Sequence, residues 1–293
     1  MARDLLAKLP SLRRECMRLV AGTADRMPLG LSRTIAYNIG ASAWFLDARG
    51  RKAVARNLAA AVPAGEPLRR AVRRSYTEFA LTLAEAARLH HMPAEWLQSP
   101  FLTIVDPWRV FINKPLQGPA ILVSVHSHWD MLAALMHRLG WYNTVLAPTL
   151  SYGDPALDQW LARRRDRWGC RTVAIDKAPL AMLRALREGR ILGMLMDRVY
   201  AGHGVPTRFL GHERHLPIGP AALSIQTHAP IIPIFLARTS PSTFSLIVSR
   251  PERANPSLPR GEQVAELTTR IGSTMSRLLS AAPAQWVAFH DVT

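Results

Sequence analysis

From about residue 118 onward, short apolar runs alternate with amphipathic segments. The apolar runs have the length and β-branched content of buried strands. They are AILVSV (120–125), TVLAP (144–148), RTVAI (171–175), ILGMLMD (191–197), IIPIFLAR (231–238) and FSLIVSR (244–250). The amphipathic segments predict helices at 129–139, 155–168, 178–189, near 220–227 and at 261–282. This alternation predicts an α/β fold with a mixed, mostly parallel sheet covered by helices.

Residues 1–100 have a different pattern and predict an N-terminal helical region that precedes an α/β core at 101–293, the two forming one compact unit. Leu5, Leu9, Leu12, Cys16 and Leu19 form one apolar stripe accompanied by basic residues. Such a helix lies at a membrane surface or packs its stripe on the domain, and the sequence leaves both open. The uncharged run at 34–46 is shorter than the ~20 residues that span a bilayer, which predicts peripheral association.

The chain is strongly basic, with a formal net charge of +16 and 37 lysines and arginines against 21 acidic residues. This balance favours an anionic partner, either a nucleic acid, an acidic membrane surface or a phosphorylated substrate. An arginine-rich genome composition explains part of the same excess. No basic motif with interleaved aromatic residues is present, so no nucleic-acid partner is expected. The two cysteines form neither a disulfide framework nor a zinc pattern.

The stretch VSVHSHWDML (123–132) carries the candidate chemistry and supports two hypotheses. In the first, His126, His128 and Asp130 bind a metal in a hydrolase. The second makes His126 a general base that takes a hydroxyl proton, and Asp130 the carboxylate that orients it. A four-residue offset would place both on one face if a helix began at His126. The motif HERH (212–215) does not have the spacing of a helical zinc motif, which weakens the first hypothesis.

Several further blocks occur in a specific order around this stretch. They are RKAVARNLAAAVP (51–63), YTEFALTLAE (76–85), LDQWLARRRDRWG (157–169), LREGRILGMLMDR (186–198), the segment 204–235 and PAQWVAFH (283–290). Together with VSVHSHWDML, they resemble the lipid A late acyltransferases (lauroyl/myristoyl acyltransferases) of the lysophospholipid acyltransferase superfamily. The resemblance covers roughly residues 50–290. The family has four residues between its histidine and its acid, whereas His126 and Asp130 are separated by three.

The resemblance implies an activity: transfer of an acyl group from an acyl carrier protein or coenzyme A thioester to a hydroxyl of a lipid or glycolipid. It implies His126 as general base and Asp130 as its partner. Substrate binding would fall to Arg164, Asp197, Arg208 and His128. No cofactor and no metal are expected, and a lipid A precursor is the default acceptor. The expected location is the cytoplasmic face of the bacterial inner membrane, as a peripheral protein. A non-catalytic lipid-binding relative remains an alternative.

Overall fold

A seven-stranded mixed sheet forms the centre of the computed structural model, which describes residues 27–89, 93–151, 153–200 and 204–290. The strands are β1 (Leu102–Val105), β2 (Ala120–Ser124), β3 (Val145–Thr149), β4 (Cys170–Ala174), β5 (Ile191–Leu195), β6 (Gly204–Phe209), β7 (His212–Pro217), β8 (Ile231–Ser240) and β9 (Thr243–Val248). The helices are α1 (Leu29–Leu46), α2 (Ala48–Leu58), α3 (Glu66–Ala87), α4 (Trp129–Arg138), α5 (Pro155–Asp166), α6 (Ala178–Arg187), α7 (Gly219–Thr227) and α8 (Arg260–Ser280). Short 3₁₀ turns occupy Ala94–Leu97 and Pro283–Gln285.

The sheet has the order β1-β9-β8-β2-β5-β3-β4. Strands β8, β2, β5, β3 and β4 run parallel, while β9 pairs antiparallel with β8 and parallel with β1. The predicted α/β fold with a mixed, mostly parallel sheet is therefore confirmed. Each connection between successive parallel strands from β2 to β8 contains a helix, as crossover connections between parallel strands usually do.

Successive residues of β2 point to opposite faces of the sheet, and both faces are buried. Ile121 and Val123 belong to a core that includes residues of α6, α7 and α8. Ala120 and Leu122 belong to a second core with residues of α4. Burial on both faces explains why this strand is an unbroken apolar run rather than an alternating one.

The N-terminal helices are attached to this sheet by apolar packing and by buried ion pairs. Tyr76 of α3 belongs to the first core. Arg238 of β8 lies 2.8 Å from Glu78 and 2.6 Å from Glu85, both on α3. Arg33 of α1 also contacts Glu85, at 3.0 Å. These contacts join the N-terminal helices to the α/β core. The boundary near residue 100 stays a prediction. The predicted helix at residues 5–19 lies outside the described residues.

A two-stranded hairpin of β6 and β7 lies between the predicted strand at 191–197 and the predicted helix near 220–227, where the sequence pattern predicted no strand. The strands pair antiparallel from Gly204–Pro217 to Phe209–His212. Leu210 and Gly211 close the turn with φ of 48° and 80°. Two left-handed residues in a two-residue loop match the right-handed twist of the paired strands. The short strand β1 was also missed.

Candidate active site

His126 lies two residues beyond the end of β2, at the carboxyl edge of the parallel strands. Asp197 lies two residues beyond the end of β5, the neighbour of β2 in the sheet. The register pairs Ser124 with Leu195, so the two chains leave the sheet side by side. This edge is where open α/β sheets usually bind ligands.

The carboxylate of Asp197 holds His126 through two hydrogen bonds. Its Oδ1 accepts the His126 backbone N–H at 3.0 Å and lies 2.7 Å from the imidazole Nδ1. Its Oδ2 accepts the indole N–H of Trp286 at 2.7 Å. The Nε of Arg198 is 3.6 Å from the same oxygen. The Asp197 side chain is fully buried, and its oxygens are satisfied by these donors.

These partners keep Asp197 ionised at neutral pH. Burial alone would raise the pKa of this carboxyl group. His126, Arg198 and the Trp286 N–H together outweigh burial and lower the Asp197 pKa to about 2. In the neutral imidazole, a proton on Nδ1 that is donated to Asp197 leaves a lone pair on Nε2.

That second nitrogen, Nε2, faces a hydroxyl group. The Tyr200 hydroxyl lies 2.9 Å from it, which is the length of a hydrogen bond in which the hydroxyl donates. Tyr200 is 44% exposed, whereas the His126 side chain is 14% exposed. A substrate hydroxyl at this position would lie within hydrogen-bond distance of Nε2, as transfer of its proton to a general base requires.

A largely apolar cavity of about 760 Å³ opens beside His126. Alternate residues of four adjacent parallel strands line one wall, among them Leu122, Gly193, Val145 and Cys170. Val145 and Cys170 begin their strands, so the cavity runs from the carboxyl edge toward the amino ends of the sheet. Burial raises the pKa of the Cys170 thiol to about 12, which keeps it protonated and unreactive. A cavity of this size accommodates an elongated apolar ligand.

The structure corrects the predicted partner of His126. Asp130 also lines the cavity, but its carboxylate accepts a hydrogen bond from Nε of Arg165 at 2.8 Å. Helix α4 begins at Trp129, so His126 precedes it and does not share a helical face with Asp130. The contact that orients the His126 ring comes instead from Asp197, which follows the neighbouring strand β5.

His128 is a buried histidine of the core and does not line the cavity. Its ring nitrogens lie 2.7 Å from the Thr82 hydroxyl and 3.2 Å from the Gln285 side-chain oxygen. Burial, reinforced by the charge of Arg238, lowers the pKa of His128 to about 3. His128 thus links the turn after β2 to α3 and to the C-terminal segment, and the predicted contact of His128 with substrate has no counterpart in the cavity lining.

The two predicted substrate-binding arginines do not line the cavity. Arg164 donates a hydrogen bond to the carbonyl of Ala87 and stacks on Trp160, with its guanidinium 5.0 Å from the ring centre. Arg208 is exposed on β6, in register with Glu213. Arg165 and Arg198 are the arginines that line the cavity. Of the predicted binding residues, Asp197 is the one that the structure places beside His126.

The three residues of the metal hypothesis turn toward different partners. His126 bonds to Asp197 and Tyr200, His128 to Thr82 and Gln285, and Asp130 to Arg165. Within the described residues, no group of three or more histidine, cysteine or acidic side chains is arranged to hold a metal ion. The geometry thus gives no support to a hydrolase that uses these three residues as ligands.

A buried aspartate bonded to a partly exposed histidine at the mouth of an apolar cavity, on a mixed α/β sheet, has the geometry to carry out acid–base chemistry on a lipophilic substrate. Residues 19–292 match the model of the bacterial lipid A biosynthesis acyltransferases. The chain therefore belongs to this acyltransferase family. It is also 30% identical over 120 residues to phosphatidylinositol mannoside acyltransferase of Mycobacterium tuberculosis, in the strains CDC 1551 / Oshkosh and H37Rv. That match spans 39% of this chain and 37% of the relative.

Arg198, Tyr200 and Trp286 are further residues of the site that had no assigned role at the sequence level. Arg198 lines the cavity with an 11% exposed side chain. Its Nε and Nη2 atoms are buried without a hydrogen-bond partner among the described residues. The position of Arg198 directly after Asp197 was a usable signal, because both follow a strand that ends at the candidate edge. Trp286 lies 89 residues from Asp197, and no local pattern predicts that contact.

Proposed function

We propose that this protein transfers a fatty-acyl group from a thioester of acyl carrier protein or coenzyme A to a hydroxyl of a lipid or glycolipid. His126 acts as the general base and Asp197 orients it. The observation that carries the proposal is the His126–Asp197 pair at the mouth of the 760 Å³ apolar cavity. An acyl chain fills the cavity and brings its thioester carbonyl beside Nε2 of His126. Membership of the acyltransferase family supports this assignment.

The reaction needs one proton transfer in each direction. The acceptor hydroxyl takes the position of the Tyr200 hydroxyl and gives its proton to Nε2 of His126. Its oxygen bonds to the thioester carbonyl carbon and forms a tetrahedral intermediate. Collapse of the intermediate restores the carbonyl and breaks the carbon–sulfur bond. The leaving thiolate takes the proton back from His126, which returns the imidazole to its starting state.

Arg198 stabilises the negative oxygen of that intermediate. Its guanidinium lines the cavity next to Asp197, and two of its nitrogens are buried without hydrogen-bond partners among the described residues. Arg198 Nη2 has no hydrogen-bond partner among the described residues, and Arg198 Nε is 3.6 Å from Asp197, beyond hydrogen-bond length, so both can bond to charge that develops during the reaction. Arg165 remains paired with Asp130 on the same wall and holds the side chains at the cavity mouth in place.

The acceptor is a glycolipid with an anionic head group. A lipid A precursor is the acceptor that the family suggests. The mycobacterial relative acts on a phosphatidylinositol mannoside, according to its name. The positive charge of the chain suits the phosphates of either head group. An acidic acyl carrier protein would be attracted by the same charge.

Acyl transfer in vitro tests the proposal. Purified protein is incubated with palmitoyl-coenzyme A and either a lipid A precursor or phosphatidylinositol mannoside. Release of coenzyme A coupled to an ester product, identified by mass spectrometry, is the expected result. Binding of the lipids without any turnover would instead support a non-catalytic lipid-binding protein. Turnover that depends on added zinc would overturn the mechanism.

The protein works at the cytoplasmic face of the inner membrane as a peripheral protein. In the described part of the chain, no helix has both the length and the apolar composition needed to cross a membrane. Helix α1 exposes Leu31, Ile35 and Ile39 at four-residue intervals, and it ends at Leu46, which is 86% exposed. The next helix, α2, exposes a group of basic side chains, namely Arg49, Lys52 and Arg56. Exposed apolar side chains beside basic ones favour binding to an anionic lipid surface.

Ile39→Glu is expected to weaken binding to vesicles that contain phosphatidylglycerol by about tenfold, because it removes the burial of one large apolar side chain. The matched control is Ser42→Glu, which adds the same charge to an exposed position of the same helix. Co-sedimentation with the vesicles measures both. Equal binding by the two variants would contradict insertion of the α1 stripe.

Gly193 sets the space available to long acyl chains. It lies in the middle of β5 on the cavity wall, and a Cβ placed there would lie 3.2 Å from Cγ2 of Val145. Gly193→Val is expected to reduce turnover of palmitoyl-coenzyme A by roughly tenfold to a hundredfold, since overpacking typically costs ~1–3 kcal/mol. Turnover of octanoyl-coenzyme A by the same variant is the internal control and should change little. An equal loss with both donors would contradict this role.

A further inference from the structure

The C-terminal segment 285–287 contacts the turn that carries His126 through Gln285 and Val287, and it contacts Asp197 through Trp286. The Gln285 side-chain oxygen lies 3.2 Å from Nε2 of His128. The indole N–H of Trp286 donates to Oδ2 of Asp197 at 2.7 Å. The backbone N–H of Val287 donates to the carbonyl of His126 at 2.7 Å. The backbone of His126 is thus fixed by Val287, and its side chain is fixed through Asp197.

Trp286 is a rigid donor toward Asp197. It is 1% exposed, and its ring packs against Phe209 at 5.6 Å and beneath the guanidinium of Arg214 at 5.2 Å. These neighbours prevent the indole from turning away from the carboxylate. The direction of its N–H is therefore set by packing that lies outside the cavity.

The Trp286 N–H controls the rotation of the Asp197 carboxylate. Oδ1 faces the two N–H groups of His126, and Oδ2 faces Trp286. Without the indole donor, the remaining partner of Oδ2 is Arg198, whose Nε is 3.6 Å away and beyond hydrogen-bond length. A carboxylate bound at one oxygen can turn about its last side-chain bond, and the His126 ring would turn with it.

We infer that Trp286 is a positioning residue of this enzyme: its indole N–H locks the carboxylate of Asp197 and thereby aims Nε2 of His126 at the acceptor. The inference rests on the proposed acyl transfer. It assigns to Trp286 an effect on turnover rather than on substrate affinity, because Trp286 does not line the cavity. We expect the effect on turnover to depend on the indole N–H of Trp286 and not on the size of its ring.

The test compares Trp286→Phe with Trp141→Phe. Trp141 is 2% exposed, stacks on Phe111 at 4.0 Å, and its indole nitrogen has no hydrogen-bond partner among the described residues. Both variants lose the same ring volume from the core, but only the first loses a donor to Asp197. Trp286→Phe is expected to lower kcat by about tenfold to a hundredfold with KM nearly unchanged, which is the effect of a lost hydrogen bond to a charged group. Trp141→Phe should retain kcat. Equal kcat values for the two variants would overturn the inference.

A second replacement covers the case in which Trp286→Phe does not fold. Benzothienylalanine at position 286, introduced by amber suppression, keeps the shape of the indole and replaces its N–H by sulfur. It should reproduce the loss of kcat. A variant with wild-type kcat would show that the ring alone suffices and would overturn the inference.

Proton NMR gives a readout that does not depend on turnover. The Nδ1 proton of His126, bonded to a carboxylate at 2.7 Å, should give a low-field resonance that disappears in His126→Ala. This resonance should shift or broaden in Trp286→Phe and persist in Trp141→Phe; an unchanged signal in Trp286→Phe contradicts the inference. A wild-type protein that transfers no acyl group overturns the proposed function, even if the resonance responds as expected.

Discussion

His126→Ala is expected to reduce kcat for acyl transfer by about a hundredfold to ten-thousandfold, the range that a positioned general base contributes. The substitution removes the nitrogen that, in the proposed mechanism, takes the proton of the acceptor hydroxyl. No other histidine lines the described cavity, and the arginines that line it, Arg165 and Arg198, stay protonated and cannot act as bases. KM for the acyl donor should change little, because the acyl chain is held by the apolar wall of the cavity. Steady-state kinetics with palmitoyl-coenzyme A measure both constants.

His215→Ala is the matched control for this variant. His215 is exposed on β7 and does not line the cavity, so its removal should leave kcat unchanged. Thermal unfolding of His126→Ala should show a folded protein with a somewhat lower Tm, since the buried Asp197 loses the Nδ1–H donor of His126. Wild-type turnover by folded His126→Ala would refute the assignment of the base.

Asp197→Asn is expected to lower kcat by about a hundredfold to ten-thousandfold, because an amide cannot hold the Nδ1–H tautomer of His126 as a carboxylate does. Asp130→Asn serves as the matched control and should lose no more than about tenfold, since it weakens a partly exposed ion pair with Arg165. Kinetics of the two variants under the same conditions give the comparison. The opposite order of the two effects would restore Asp130 as the orienting acid.

The low pKa of Asp197 also makes the free energy of unfolding depend on pH. The pKa of Asp197 in the folded protein, about 2, lies below the ordinary value of 3.8. The ionised carboxylate therefore stabilises the native state at pH values above 3.8. This contribution is lost as the pH falls through the folded pKa. Asp197→Asn should therefore show a weaker dependence of unfolding free energy on pH in the acidic range than the wild type, in denaturant titrations.

The sequence was sufficient to predict the parallel part of the sheet. Strands such as Ala120–Ser124 are buried on both faces, so each appears as a compact apolar run that needs no knowledge of its neighbours. The hairpin of β6 and β7 was harder, since it contains charged residues and its buried positions alternate with exposed ones. The pair Leu210–Gly211 was the available signal, because a glycine in a two-residue loop is typical of hairpins.

The sequence singles out His126 as a candidate base, but it does not predict the contact between His126 and Asp197. Asp130 is close to His126 along the chain, and a helical offset made it the natural candidate. Asp197 is 71 residues away and reaches His126 because β5 pairs directly with β2. Strand order is a property of the whole sheet, and a single sequence without homologues does not determine it. The contact between Trp286 and Asp197 cannot be predicted for the same reason, because it depends on the path of the chain after α8.

The contact between Tyr200 and His126 has a consequence for selectivity among alcohols. Nε2 of His126 is 2.9 Å from the Tyr200 hydroxyl, so under the proposed mechanism an incoming acceptor exchanges one hydroxyl partner for another. Such an exchange yields little net binding free energy. A small alcohol, which offers only a hydroxyl, therefore gains almost nothing at this point. Discrimination among acceptors must come from the head group and the lipid chains, at a distance from the atom that is acylated.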